Sequence, residues 1–283
     1  MLALVAAVGY GVSDFLGGVA SRRVAALRIV IVSYPLSVLI TLAAAPFFGG
    51  VLDAGALGWG AAAGVVGGLA VWWFYLALAG GPMSIVSPLT AVLVAGLPVL
   101  IGVLMGERPG PVALVGIVLA LVAVVLVSRE SPDAVTEEIT GGRKLRFDRR
   151  IALLTVGSGV AFAAAFVFLH KVPEGTGVWP LVASRVTATA VVWAVAAAGR
   201  QFVRPHGEPL RLAVYISVLD VIANGAMLFA LQGSMLSLIS VIASLYPAAT
   251  VLLAMVLLGE RIGRLQQVGM VVALGSVAMI AAS

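Results

Sequence analysis

Ten long apolar runs, separated by short polar stretches, cover most of this chain. A bilayer core of about 30 Å needs about 20 apolar residues per helix, and each run approaches that length. The runs show no strict apolar–polar alternation and are too long for strands, so helices satisfy their backbone in lipid. The pattern predicts an all-α integral membrane protein with ten transmembrane spans, at residues 2–20, 28–48, 55–79, 83–105, 110–128, 151–170, 179–198, 210–232, 236–258 and 263–282.

The chain also repeats itself. The segment Val103–Arg108 returns as Val256–Arg261, a shift of 153 residues, and further identities fall at the same shift. They include Ala77-Leu78 with Ala230-Leu231, Ser84 with Ser237, Ser87 with Ser240, Gly110 with Gly263, and Val115-Gly116 with Val268-Gly269. Matches at one shift over so long a stretch indicate two copies of one structural unit.

Five spans per copy is an odd number, so the second copy must enter the membrane in the opposite sense. The sequence therefore predicts two inverted five-helix repeats, at residues 1–128 and 151–283, joined by a polar linker at 129–150. Inverted repeats recur in secondary transporters, whose substrate site lies near the midplane between the halves.

Composition narrows the class of protein. The chain is 62% hydrophobic and 10% charged, against roughly 25% charged in soluble domains, which excludes soluble and nucleic-acid-binding proteins. Its basic charge comes from arginines scattered in loops. Residues 1–20 lack a basic start, and Arg22 and Arg23 follow them, so we expect a first membrane helix rather than a signal peptide. Without cysteine, neither disulfides nor cysteine metal sites can form.

Each repeat closes its fourth span with Leu-(Met/Leu)-Gly-Glu-Arg and opens its fifth with a glycine. An aromatic residue lies just before Ala-Leu at the end of the third span (Tyr75 to Leu78) and of the eighth (Phe229 to Leu231), and Tyr246-Pro247 lies in the ninth. With the ten spans in two repeats, these motifs resemble the EamA family of the drug/metabolite transporter superfamily. The chain departs from the family pattern at Val94, where a proline is usual, and at Tyr10-Gly11, where tryptophan-glycine is usual. The resemblance implies a multi-pass transporter of the prokaryotic cell membrane, embedded in its lipid bilayer.

Charge and resemblance disagree about orientation. Of the 17 lysines and arginines, fourteen fall in the loops after the first, fifth, seventh and ninth spans, whereas the opposite side holds only Arg108 and Lys171. The positive-inside rule then places both termini outside the cytoplasm, while the resemblance implies cytoplasmic termini. We follow the charge count.

Ionisable residues inside membrane spans are costly and mark candidate functional sites. Asp14, Arg185 and Asp220 are such residues, and Ser217, Asp220 and Asn224 share one helical face by their spacing. That face predicts a cavity wall, with bonding between helices as the alternative. We expect Asp220 to face a hydrated cavity and Asp220→Asn to lose transport while keeping its stability, although an ion pair of Arg185 with Asp14 or Asp220 is an equal alternative.

Other side chains complete the predicted cavity. Tyr10 precedes Asp14 by one helical turn, and Tyr75, Ser240 and Tyr246 lie in the third and ninth spans. The matching positions of the third span, Gly64 and Gly67, are expected to leave room beside the polar face. The serines of the fourth and ninth spans, and the two Gly-Glu-Arg segments, are more typical of helix packing and helix ends.

Transport is the predicted function, with no enzyme activity, cofactor or metal site. Gly11-Val12-Ser13-Asp14 offers a Gly-x-Ser pattern, and Ser13 with His170 would be the pair of an intramembrane serine protease; this is a weak signal in a glycine-rich chain. A channel-like facilitator is the other alternative, but it would require rings of charged side chains or backbone carbonyls, and the sequence does not indicate any. By resemblance, the cargo is a small molecule such as an amino acid or a drug-like compound, moved by alternating access, with export more common than uptake and proton coupling open.

Overall fold

The computed structural model describes residues 1–21, 24–80, 83–127, 148–203, 205–258 and 263–282. Within these ranges the chain folds into helices without a strand, which confirms the all-α prediction. The helices are α1 (Leu2–Ser21), α2 (Ala26–Phe48), α3 (Ala54–Gly80), α4 (Met83–Leu104), α5 (Pro111–Val127), α6 (Arg149–His170), α7 (Trp179–Ala198), α8 (Glu208–Gln232), α9 (Leu236–Ala243), α10 (Tyr246–Leu258) and α11 (Arg264–Ala281).

These helices lie over the ten predicted apolar segments. Among the described residues, five are long and apolar enough to cross a membrane by length and composition, in α2, α3, α6, α7 and α8. The other apolar helical stretches are shorter. Ten crossings and the inversion of the second repeat therefore stay predictions.

The ninth predicted span is interrupted. Helix α9 ends at Ala243, a turn follows at Ser244 and Leu245, and α10 begins at Tyr246. Pro247 has no backbone N–H, so the carbonyl of Ala243 cannot receive its helical hydrogen bond there. Ser244 closes the turn, because its hydroxyl donates to the Val241 carbonyl at 2.8 Å.

Helices of the first half, α1–α5, pack mainly on helices of the second half, α6–α11. Helix α3 lies against α6 and α7, and α8 lies against α1 and α2 in the matching way. Helix α4 contacts α6 as α10 contacts α1, while α5 pairs with α11, its own counterpart. The main partners of these helices are thus preserved when the halves are exchanged, as two equivalent units would require.

Glycines allow α3 and α7 to approach closely. A Cβ at Gly60 would collide with the Pro180 carbonyl, and one at Gly64 would collide with the Ser184 carbonyl and the Thr187 hydroxyl. The space expected beside Gly64 is therefore filled by the backbone of α7, and that expectation was wrong. A Cβ at Gly67 would meet nothing within 4 Å, so the close approach does not extend to Gly67.

Four described loops, at residues 49–53, 105–110, 171–178 and 233–235, lie together at one end of the bundle, which we call end A. The Val51 N–H donates to the Gly175 carbonyl at 3.0 Å, and the rings of Phe48 and Phe229 stack with centroids 5.9 Å apart. Both contacts join the two halves, so the halves touch each other at end A. The loops at 24–25, 199–203 and 205–207 lie at the opposite end, end B.

Candidate functional site

An ion pair lies inside the bundle between α7 and α8. Nη1 of Arg185 donates to Oδ2 of Asp220 at 2.8 Å, and the two side chains are only 11% and 17% exposed. Asp220 lies one helical turn before Asn224 in α8. Its ion pair with Arg185 is one of the alternatives that sequence analysis left open. The pair compensates both charges within a region of low dielectric.

Asn224 connects this pair to the first half of the chain. Its Oδ1 accepts from Nη2 of Arg185 at 3.1 Å and from the Tyr10 hydroxyl at 3.0 Å. Its Nδ2 donates to Oδ1 of Asp220 at 3.0 Å and to the Asp220 carbonyl at 2.8 Å. Three helices, α1, α7 and α8, are thus joined by one polar network, which we call the Arg185 network (Tyr10, Arg185, Asp220 and Asn224).

Tyr34 of α2 adds an aromatic face to the Arg185 network. The guanidinium carbon of Arg185 lies 5.7 Å from the centre of the Tyr34 ring, within the range of a cation–π contact. Sequence analysis did not single out Tyr34. Its only sequence signal is a phenol in the middle of an apolar span, beside Pro35, and aromatic residues are common in such spans.

Asp14 lies beside the Arg185 network without belonging to it. It follows Tyr10 by one turn of α1 and lies within electrostatic range of Asp220, Tyr34 and Tyr246. The side chain of Asp14 is exposed. Among the described residues it makes no hydrogen bond or ion pair, so its carboxyl oxygens are left without a partner there.

The charges of the described side chains in this region do not cancel. Arg185 and Asp220 neutralise each other, whereas Asp14, near the phenols of Tyr10, Tyr34 and Tyr246, has no cationic partner among the described residues. A carboxylate with aromatic rings around it attracts cations through its charge and through the ring quadrupoles. The region, which we call the Asp14 site (Tyr10, Asp14, Tyr34 and Tyr246), is chemically suited to a cationic group.

The remaining predicted cavity residues lie elsewhere or outside the described side chains. Ser217 is fully buried; its hydroxyl donates to the Val214 carbonyl at 2.6 Å, and its carbonyl accepts from the Ser37 hydroxyl at 3.4 Å. Ser217 therefore joins α8 to α2, which agrees with bonding between helices, the alternative to a cavity wall. Ser240 is fully buried in α9, with a hydroxyl that has no partner among the described residues. The side chain of Tyr75 lies outside the described residues.

Ser13 and His170 do not meet as a catalytic pair in the part of the chain that the structure describes. Nδ1 of His170 lies 2.9 Å from the Leu231 carbonyl, at the end A terminus of α6. The described residues also contain no group of three metal-ligating His, Asp or Glu side chains. The geometry thus offers nothing to the protease alternative.

The Gly-Glu-Arg segment of the first repeat lies in the turn after α4. Gly106 has a φ of 101°, the left-handed region expected for a glycine that ends a helix. Glu107 reaches across to the second half, where its carboxylate accepts from backbone N–H groups of α9. Sequence analysis placed Glu107 at a helix end but did not find this contact; Gly259 and Glu260 lie outside the described residues.

Comparison with known proteins identifies the family. The model of the EamA-like transporter family matches residues 1–129 and 149–282. A crystal structure superposes with a TM-score of 0.75 over 98% of this chain and 94% of that chain, at 17% sequence identity, which shows the fold alone. No curated protein matches the chain. Because the family model spans nearly all of its length, the chain belongs to the EamA-like transporter family and is a multi-pass membrane transporter of the drug/metabolite type.

Proposed function

We propose that this transporter moves small amphipathic molecules that carry a cationic amine, such as amino acids, by alternating access. The ten predicted spans form two inverted repeats, residues 1–128 and 151–283, and the cargo binds between them near the midplane. Export is the proposed direction, in keeping with the family resemblance. The cell membrane of a prokaryote is the proposed location.

The carboxyl group of Asp14, which has no partner among the described residues, carries this proposal. An ionised side chain deep in a membrane protein is costly unless something compensates it, and Asp14 has no partner among the described residues. Its side chain is nevertheless exposed, and in this proposal it faces the cargo-binding space. A cationic cargo supplies the missing charge, and it leaves the Arg185 network intact.

The phenols around Asp14 extend the recognition to the rest of the cargo. Tyr10 donates its hydroxyl to Asn224, while the hydroxyls of Tyr34 and Tyr246 make no hydrogen bond among the described residues. Those two hydroxyls can donate to a carboxylate or carbonyl oxygen. An amino acid offers both an ammonium group for Asp14 and a carboxylate for the phenols.

Proton coupling is placed on Asp14 instead of Asp220 in this proposal. Asp220 is held by Arg185 at 2.8 Å, so a proton would have to displace a hydrogen-bonded cation. A proton on Asp14 displaces nothing but the cargo. Proton and cationic cargo would therefore compete for one carboxylate, which is a sufficient basis for exchange of one against the other.

Purified protein in liposomes tests the function. Labelled compounds of matched size are offered as primary amines, as amino acids and as carboxylates, with and without an imposed pH gradient. We expect saturable flux of amines and amino acids, acceleration by unlabelled cargo on the opposite side, and no flux of the carboxylates. Equal flux of all three classes would contradict the cargo class, and flux without saturation or acceleration would favour a channel-like facilitator.

A further inference from the structure

Glu107 links the two halves of the transporter at end A. Its Oε1 accepts a hydrogen bond from the backbone N–H of Leu236 at 2.5 Å, and its Oε2 accepts from the N–H of Ser237 at 3.0 Å. Glu107 follows α4 in the first half, while Leu236 and Ser237 are the first two residues of α9 in the second half. Both oxygens of one carboxylate are thus used in a contact between halves.

Helix geometry explains why this contact is strong. The first N–H groups of a helix have no partner within the helix, and the helix dipole adds positive potential at that end. A carboxylate that accepts two such donors forms charge-assisted hydrogen bonds, which are shorter and stronger than neutral ones. Helix α9 has only 8 residues and is followed by a break, so Glu107 fixes the position of a short, separate element.

The backbone before Glu107 places its carboxylate beside α9. Gly106 adopts a φ of 101°, and the Glu107 N–H bonds back to the Gly102 carbonyl at 3.0 Å. The Glu107 carboxylate lies directly over Gly102, where a Cβ would collide with it. Gly102 therefore provides the space in which the carboxylate folds back toward α9.

We propose that the contact of Glu107 with the start of α9 holds end A closed and must break when the cavity opens there. We call this contact, of Glu107 with Leu236 and Ser237, the bolt. Glu107 is a positioning residue in this scheme and does not touch the cargo. The bolt is supported at end A by the Val51–Gly175 hydrogen bond between halves. When it opens, water must replace α9 as the partner of the carboxylate.

The inference rests on the proposed alternating access, but a distance measurement tests it without transport. The chain contains no cysteine, so Leu52→Cys and Ser234→Cys place one spin label on each half among the exposed loops of end A. Pulsed electron paramagnetic resonance in liposomes then gives the fraction of molecules with end A open. The variants are Glu107→Ala and Glu107→Gln, with Glu174→Ala as the matched control, an exposed carboxylate at the same end.

We expect Glu107→Ala to raise the long-distance fraction, the fraction of molecules whose two labels are far apart because end A is open, about tenfold. This is the change in equilibrium that corresponds to one net charged hydrogen bond. Glu107→Gln retains one acceptor oxygen and is expected to lie between Glu107→Ala and the parent, while Glu174→Ala stays at the parent value. If Glu107→Ala does not fold, as judged by size exclusion, the distances of Glu107→Gln decide. A long-distance fraction no higher than in Glu174→Ala overturns the bolt, whereas a raised fraction in a protein that transports no cargo supports the bolt and overturns the proposed function.

Discussion

Arg185 and Asp220 hold each other across 2.8 Å between α7 and α8, and Asn224 links the guanidinium of that pair to Tyr10 of the opposite half. Both charged side chains are largely removed from water. Removing one partner of a buried pair leaves the other charge uncompensated, which is more costly than removing both. The pair is therefore part of what holds these helices together, in addition to any role beside the cargo.

Asp220→Asn is expected to lower the stability of the folded protein, contrary to the expectation from sequence. The variant leaves the Arg185 guanidinium buried without its counter-ion, a loss of about 3–5 kcal/mol for a broken buried pair. In an Arg185→Met background the same substitution should cost much less, because the guanidinium is already gone. Thermal unfolding in detergent is measured for the parent, Asp220→Asn, Arg185→Met and the double variant. Equal losses of stability from Asp220→Asn in both backgrounds would show that the two side chains are not energetically coupled.

Sequence alone singled out most residues of the candidate site, because charged and amide side chains within apolar spans are rare. Asp14, Arg185, Asp220 and Asn224 were found in this way, yet their pairing could not be assigned, since a spacing within one helix does not say which helix faces it. Ser217 shares the spacing of Asp220 and Asn224 but borders α2. Tyr34 could not be selected from the sequence, because a tyrosine in an apolar span is common; only the structure shows Arg185 over its ring.

Gly64→Ala is expected to destabilise the packing of α3 on α7, and Gly67→Ala is not. A Cβ at Gly64 would meet the Ser184 carbonyl, which belongs to rigid backbone, whereas a Cβ at Gly67 would meet nothing within 4 Å. Overpacking of this kind costs about 1–3 kcal/mol. The two variants have identical chemistry in one helix, so a difference in their midpoints of thermal unfolding isolates the contact; equal midpoints would contradict the close approach of these helices.

The fold was predictable to the extent that it follows from apolar length and repetition. Helical structure and the positions of the apolar segments needed no tertiary information. The break between α9 and α10 was not predicted, although its cause is visible in Pro247. The matching residue of the first repeat is Val94, and α4 continues through it, as it also continues through Pro88 and Pro98. A proline in a membrane helix can kink it or end it, and only the neighbouring helices decide between the two.

Orientation gives a further prediction, that both termini lie outside the cytoplasm. The loops that carry most of the lysines and arginines follow the first, fifth, seventh and ninth spans, and positive loops are retained in the cytoplasm. A reporter that is active only in the cytoplasm should be inactive when fused after Ser283 and active when inserted in the 129–150 linker. The reverse result would favour the orientation that the family resemblance implies.

Asp14→Asn is expected to weaken the binding of cationic cargo without harming the fold. The side chain makes no hydrogen bond or ion pair among the described residues, so the loss of its charge removes no contact there and relieves the cost of an uncompensated carboxylate. Thermal stability should therefore be unchanged or raised. Binding of a labelled amine should weaken at least about tenfold, the scale of one net charged hydrogen bond, and Asp14→Glu, which keeps the charge, should retain part of the affinity.

Asp53→Asn serves as the matched control for Asp14→Asn. Asp53 accepts from the Ala56 N–H at 2.6 Å at the start of α3, and asparagine caps a helix about as well as aspartate, so neither stability nor binding should change. The pH dependence supplies a second readout. In the parent protein, amine binding should weaken as the pH falls, because a proton on Asp14 removes the charge that the cargo needs, and in Asp14→Asn the residual binding should be flat with pH. Parent-like affinity together with parent-like pH dependence in Asp14→Asn would show that the cargo does not bind at this carboxylate.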